Sequence, residues 1–203
     1  MKKSEKRRIL GALREAVPLL RENGKMLIMD PVESVLRGFY LEDSSTRDAA
    51  YVWAFVQPLY IPSKTVTLTL GQRLGGQART WKAHLEDLEA LKEFAIHQGL
   101  PFLRQIGSSA RLADSPWLAQ KASEHAIQAR AYALGASERW QEAIPLLQSL
   151  ISSLEAATGW RLDMKRRAQQ LASLGQAAPC EAKQLLETWA NETAKNLGIE
   201  SAQ

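Results

Sequence analysis

Three patterns of apolar and polar residues follow one another along the chain. Ile9, Leu10, Leu13, Val17 and Leu20 recur at three- and four-residue spacing, which predicts an amphipathic helix from about Ser4 to Asn23, kinked or restarted at Pro18 and closed by Gly24. The densest run of β-branched and aromatic side chains comes next, from Tyr51 to Pro62. With period two, Tyr51, Trp53 and Phe55 fall on one face and Ala50, Val52, Ala54 and Val56 on the other, so neither face is built for water and the run predicts a central strand. The small face admits a helix at close range, and the aromatic face suits a second packed layer. Pro58 brings no amide to a ladder, which ends pairing near it.

Shorter stretches complete this region. Met26 to Met29 and Gly38-Phe39-Tyr40-Leu41-Glu42 read as strands, with Asp30-Pro31-Val32-Glu33 between them as the capped start of a one- or two-turn helix over 31–37. Thr65 to Leu70 alternates cleanly, a strand with one wet and one dry face. Connections this short favour an antiparallel meander. From about Thr80 the third pattern is helical: Thr80 to His97, a short helix from Leu100 toward Gly107, Ser115 to Leu134, Ser137 to Ala157, Arg161 to Leu174 and Pro179 to Leu197, each stopped by a nearby glycine. The expected fold is α+β. An N-terminal helix packs on a small antiparallel sheet of three to four strands over 1–79, and an all-helical C-terminal half over 80–203 either continues that domain or forms its own.

Charge changes this picture at one end only. Residues 1–25 hold eight Lys and Arg against three Glu, a balance of +5 within a net +4, so the rest of the chain carries −1. Lys2, Lys3, Lys6, Arg7 and Arg8 are therefore the candidate contacts for an anionic surface, either nucleic acid or lipid. The one cysteine, Cys180, has no internal partner, and no apolar run reaches the length of a membrane span. The expected address is cytoplasmic.

Ala131, Leu134, the turn Gly135-Ala136-Ser137-Glu138, and Trp140, Ala143, Leu147 and Leu150 together resemble a tetratricopeptide-type helical hairpin over about residues 124–155. No second copy follows at a spacing of 34 residues. In outline the front half, a basic helix followed by a Gly-Phe strand and an aromatic strand, is similar to small bacterial α+β domains of uncharacterised function, some thought to neutralise toxins. Those resemblances imply an immunity-type or adaptor protein that works through a protein partner.

Catalytic patterns find little support. His84, His97 and His125 lie outside any zinc-ligand spacing, and His97 four residues after Glu93 suits a surface ion pair. Cys180 after Pro179 sits at a helix start, where a thiolate is favoured, but no histidine base is close in sequence. Gly71 to Gly76 with Arg73 and Arg79 has donors for a phosphate yet lacks the lysine-Ser/Thr ending of a nucleotide loop. Glu42, Asp43 and Asp48 read as turn charges rather than an acid–base pair. No cofactor is expected. Trp117, Trp140 and Trp189 are the candidate interface residues, since tryptophan is enriched among binding anchors. The leading expectation is a non-enzymatic interaction module. Two others stand beside it: binding of nucleic acid or an anionic surface by the basic helix, and an enzyme whose site is assembled from residues far apart in the chain.

Overall fold

In the computed structural model, which describes residues 1–199, the strand and helix patterns sort into two units. One comprises residues 1–57 and 67–107, and the other 58–66 and 108–199.

The first unit opens with α1 (Lys3–Ala16), which buries Ile9, Leu10, Ala12 and Leu13. It stops short of the expected Asn23, because Pro18 has no amide to extend the ladder, and the chain re-enters as β1 (Leu20–Asn23). Gly24, at φ 63°, takes the first of two turn positions that fold β1 onto β2 (Met26–Met29) in the register Leu20 to Met29 and Asn23 to Met26. Leu20 continues the apolar stripe but is buried from a strand. No helix forms over 31–37. The Asp30 carboxylate accepts from Arg21 Nε at 3.1 Å rather than capping a turn, and β3 (Val35–Asp43) has begun by Val35.

The expected central strand is β4 (Ala49–Pro58), which lies inside the sheet and ends at Pro58. Its far edge is shared by β5 (Gly71–Arg73), with Trp53 opposite Arg73, and β6 (Trp81–Lys82), with Ala50 opposite Trp81. The path is β1-β2-β3-β4-β5 with β6 beside β4, six strands instead of three or four. The ladder expected at Thr65 to Leu70 is absent. The Thr67 amide donates to Gln57 Oε1 at 3.0 Å, and Gly71 turns back on the Leu68 carbonyl. The alternation survives only as burial, with the threonines exposed and Leu70 inside.

Two contacts assign the faces of the sheet. Trp53 bonds Glu42 and Tyr40 meets Phe55, so Tyr40 and Glu42 of β3 share the side of Tyr51, Trp53 and Phe55, while Phe39 shares the side of the small residues. The small side is closed, with Ala50, Val52, Ala54 and Val56 at 0–1% exposure. α1 packs on β6, on α2 (Leu85–Phe94) and on the π-helical turn (Ala95–Gly99) that follows it; α2 also contacts β6, and α2, the turn and α3 (Leu100–Gln105) run on without a break. Gly99 is not the expected stop. A Cβ there would sit 2.5 Å from Cε1 of Phe39, so the glycine permits close approach of helix and sheet.

The second unit holds α4 (Ser109–Ala113), α5 (Pro116–Ala119), α6 (Glu124–Ala136), α7 (Trp140–Ser153), α8 (Trp160–Ala177) and α9 (Pro179–Asn196). Ser115-Pro116 opens a single turn rather than a helix to Leu134, and Ser123, accepting from the Ala126 amide, caps a new one. The helices α6, α7 and α8 pack in sequence, and α9 returns against both α8 and α6, which closes a ring of four. Among the described residues no helix is long and apolar enough to cross a membrane.

Candidate functional site

Sheet geometry brings together residues that the sequence scatters over thirty positions. Tyr40 and Glu42 from β3, Tyr51 and Trp53 from β4 and Arg73 from β5 are half-exposed on the aromatic side of the first unit. The Arg73 guanidinium lies 3.7 Å from the centre of the Tyr51 ring and 4.8 Å from that of Trp53. Glu42 Oε2 accepts from Trp53 Nε1 at 2.8 Å and from Arg73 Nη2 at 3.3 Å, and Arg73 Nη1 donates to the Gln77 carbonyl at 2.8 Å. Gly71 makes room for this arrangement, since a Cβ there would come within 3.3 Å of Trp53 Cε3. An arginine, rather than the packed layer expected on this face, covers the rings. With 21% of the Arg73 side chain and 39% of Glu42 open to solvent, the pair is held in place yet reachable.

The phosphate-loop candidate loses its donors to this geometry. Arg73 is engaged as described, and Arg79 stacks over Trp81 at 4.6 Å and pairs with Asp87 at 3.0 Å. The Gly75 amide donates to Gln98 Oε1 and the Gly76 amide to the Arg73 carbonyl, so these backbone amides are already satisfied. The carboxylates around the β3–β4 turn are likewise committed. Asp43 binds Lys6 at 2.6 Å and Lys25 at 3.2 Å, and the Lys6 ammonium, more than any other group, holds this carboxyl below the usual carboxylate range. Asp48 faces Arg47.

The other candidates are dispersed. Trp140 and Trp189 lie in the core of the second unit at 7% and 9% exposure, and Tyr132 stacks on Trp189 at 5.9 Å. Trp117 is half-exposed, with the Lys121 ammonium 4.7 Å from its ring. Of the basic cluster, Lys2, Lys3, Arg7 and Arg8 are exposed, and Lys6 is held by Asp43. His97 pairs with Glu93 at 3.1 Å as its spacing predicts, His84 is exposed, and His125 stacks flat on the exposed Trp160 ring at 5.0 Å. Cys180 is exposed in an open groove of about 550 Å³ beside Trp140, Lys183 and Glu187, and the groove is lined by no histidine. Among the described residues no three His, Cys, Asp or Glu side chains converge to hold a metal ion.

The candidate interface residues drawn from the sequence all lie in the helical half, and the sheet-face cluster is not among them. Its signal was present in Tyr51 and Trp53 at period two, but nothing local pairs them with Arg73. Compared with protein families, with curated proteins and with solved structures, the chain gives no match.

Proposed function

We propose that this chain is a non-enzymatic protein–protein interaction module of the immunity or adaptor kind, and that Tyr40, Tyr51 and Trp53 with the Glu42–Arg73 pair form its docking face. The observation that carries this reading is the half-exposed stack of Arg73 between Tyr51 and Trp53. Tyrosine, tryptophan and arginine are the residue types that dominate binding energy at interfaces. Here their rotamers are fixed in advance by mutual stacking and by Glu42, which lowers the entropy lost when a partner docks. The rings offer apolar area at the centre while Glu42 supplies a charged rim, the arrangement interfaces use to combine affinity with register. The module works in the cytoplasm, a reducing setting in which the exposed Cys180 stays a thiol.

The test compares the wild type with Tyr51→Ser, which removes one ring and leaves the Trp53–Glu42–Arg73 bonds in place. Both are used to capture partners from nuclease-treated host lysate. A partner held in stoichiometric amount by the wild type and released by Tyr51→Ser at an unchanged melting temperature supports the reading. Equal retention by both proteins contradicts it, as does a substrate turnover that a point mutation abolishes.

A further inference from the structure

A second surface of the first unit fits a different kind of partner. The exposed arc of α1 is read from its turns: Lys3, Arg7, Gly11 and Arg14 form the central row, with Ser4, Arg8 and Glu15 beside it, and all seven are exposed. The two acidic groups of α1 are already bound: Glu5 accepts the Lys2 amide at 2.7 Å and Glu15 takes Lys92 at 2.8 Å. Glu22 of β1 faces Arg14 at 3.5 Å. Among the described residues Lys2, Lys3, Arg7 and Arg8 have no ion-pair partner. Four cations therefore lie within two turns of helix, and Lys3 and Arg7 are about 6 Å apart along the axis. Gly11, the third residue of this row, has nothing within 4 Å of where a Cβ would be. A glycine inside an exposed helix weakens it, and what it supplies in return is bare backbone that another chain can approach closely.

We infer that this arc of α1 binds the phosphate backbone of duplex nucleic acid without reading its sequence. Charge complementarity selects a polyanion, and the shape of the arc selects among polyanions. An interfacial membrane helix embeds its apolar stripe, but Ile9, Leu10 and Leu13 of α1 are shut into the core at 0–5% exposure. Exposed Leu19, past Pro18, is a single aliphatic side chain. Single strands are held by stacking on aromatic rings, and the arc has none. Phosphates following the row from Gly11 toward the start of α1 would meet Arg7 and Arg8 and then Lys3, with Lys2 beside it at the N-cap.

Fluorescence anisotropy with a short labelled DNA duplex of mixed sequence, titrated from low to physiological salt, tests this. Four phosphate contacts give a slope of log affinity against log salt of about −3 to −4. Arg7→Gln with Arg8→Gln is expected to bring that slope about two closer to zero. Gly11→Glu has open space for its side chain and a better helix former in place of glycine, so it keeps the fold while weakening binding roughly tenfold at low salt. Lys165→Gln with Arg166→Gln on α8 leaves binding unchanged. So does Tyr51→Ser, which separates this surface from the proposed docking face. The inference is overturned by absence of binding at low salt, by a slope that Arg7→Gln/Arg8→Gln does not move, or by binding to phosphatidylserine vesicles that exceeds binding to the duplex.

Discussion

Trp140 of α7 lies directly on Gly175 of α8: a Cβ on that glycine would stand 2.6 Å from Cε3 of the indole. The same ring also meets Gly135 of α6, where a Cβ would come within 2.8 Å of its Cη2. Two glycines that read as helix stops are instead the hollow in which the tryptophan seats. Gly175→Ala forces the ring or the helix to move, and overpacking of this kind costs about 1–3 kcal/mol. The expected drop in melting temperature is roughly 2–4 °C per kcal/mol for a chain of this size, read by circular dichroism, and Gly135→Ala behaves the same way.

Gly11 gives the opposite sign. It is exposed in the interior of α1 with open space around it, so Gly11→Ala removes backbone freedom from the unfolded chain and meets nothing in the folded one. An increase in stability of about 0.5–1 kcal/mol is expected in urea unfolding.

Alkaline pH tests the core of the second unit. Tyr132 is fully buried, and loss of hydration, set against smaller opposing effects of Gln128 and Arg167, pushes its hydroxyl up from 10.0 to about 12. The unfolded chain releases this proton near pH 10 while the folded one retains it, so stability is intact below pH 10 and declines as pH rises toward 12. That loss is on the order of 2–3 kcal/mol from this group. Tyr132→Phe should remove it while changing neutral-pH stability little, because the hydroxyl is buried without a hydrogen-bond partner of good geometry. Stability measured at pH 8 and pH 11 for both proteins gives the comparison.

Arg73 cannot be replaced by its nearest chemical relative. Lysine lacks the planar fork that faces Tyr51 and Trp53 while bonding Glu42 and the Gln77 carbonyl. Arg73→Lys is expected to cost about 1–2 kcal/mol, whereas Arg47→Lys, at a side chain 95% exposed, stays within error in the same denaturant titration.

What the sequence could disclose was whatever a local pattern encodes. Period two over Tyr51 to Val56 and three- to four-residue spacing in α1 gave the central strand, the first helix and the α+β class, because burial of one face follows from neighbours in the chain. The errors have non-local causes. Leu20 extends the helical stripe of α1, yet pairing with Met29 makes it a strand residue. Thr65 to Leu70 has the alternation of a strand, but the Thr67 amide is taken by the Gln57 side chain. Gly99 and Gly175 read as punctuation because their partners Phe39 and Trp140 are far away in the chain, and Gly135 because Trp140 reaches it only when α7 folds back on α6. The proposed docking face is hidden for the same reason: Glu42, Trp53 and Arg73 meet only once β3, β4 and β5 are side by side.

The most direct measurement is site-specific photo-crosslinking in the native host, with benzoylphenylalanine in place of Tyr51 on the sheet face and, as the control, in place of the exposed Glu181 on α9. The account predicts one discrete protein adduct from position 51 and none from position 181. Adducts of equal yield from both positions, or from 181 alone, would contradict a docking face built on Tyr51, Trp53 and Arg73.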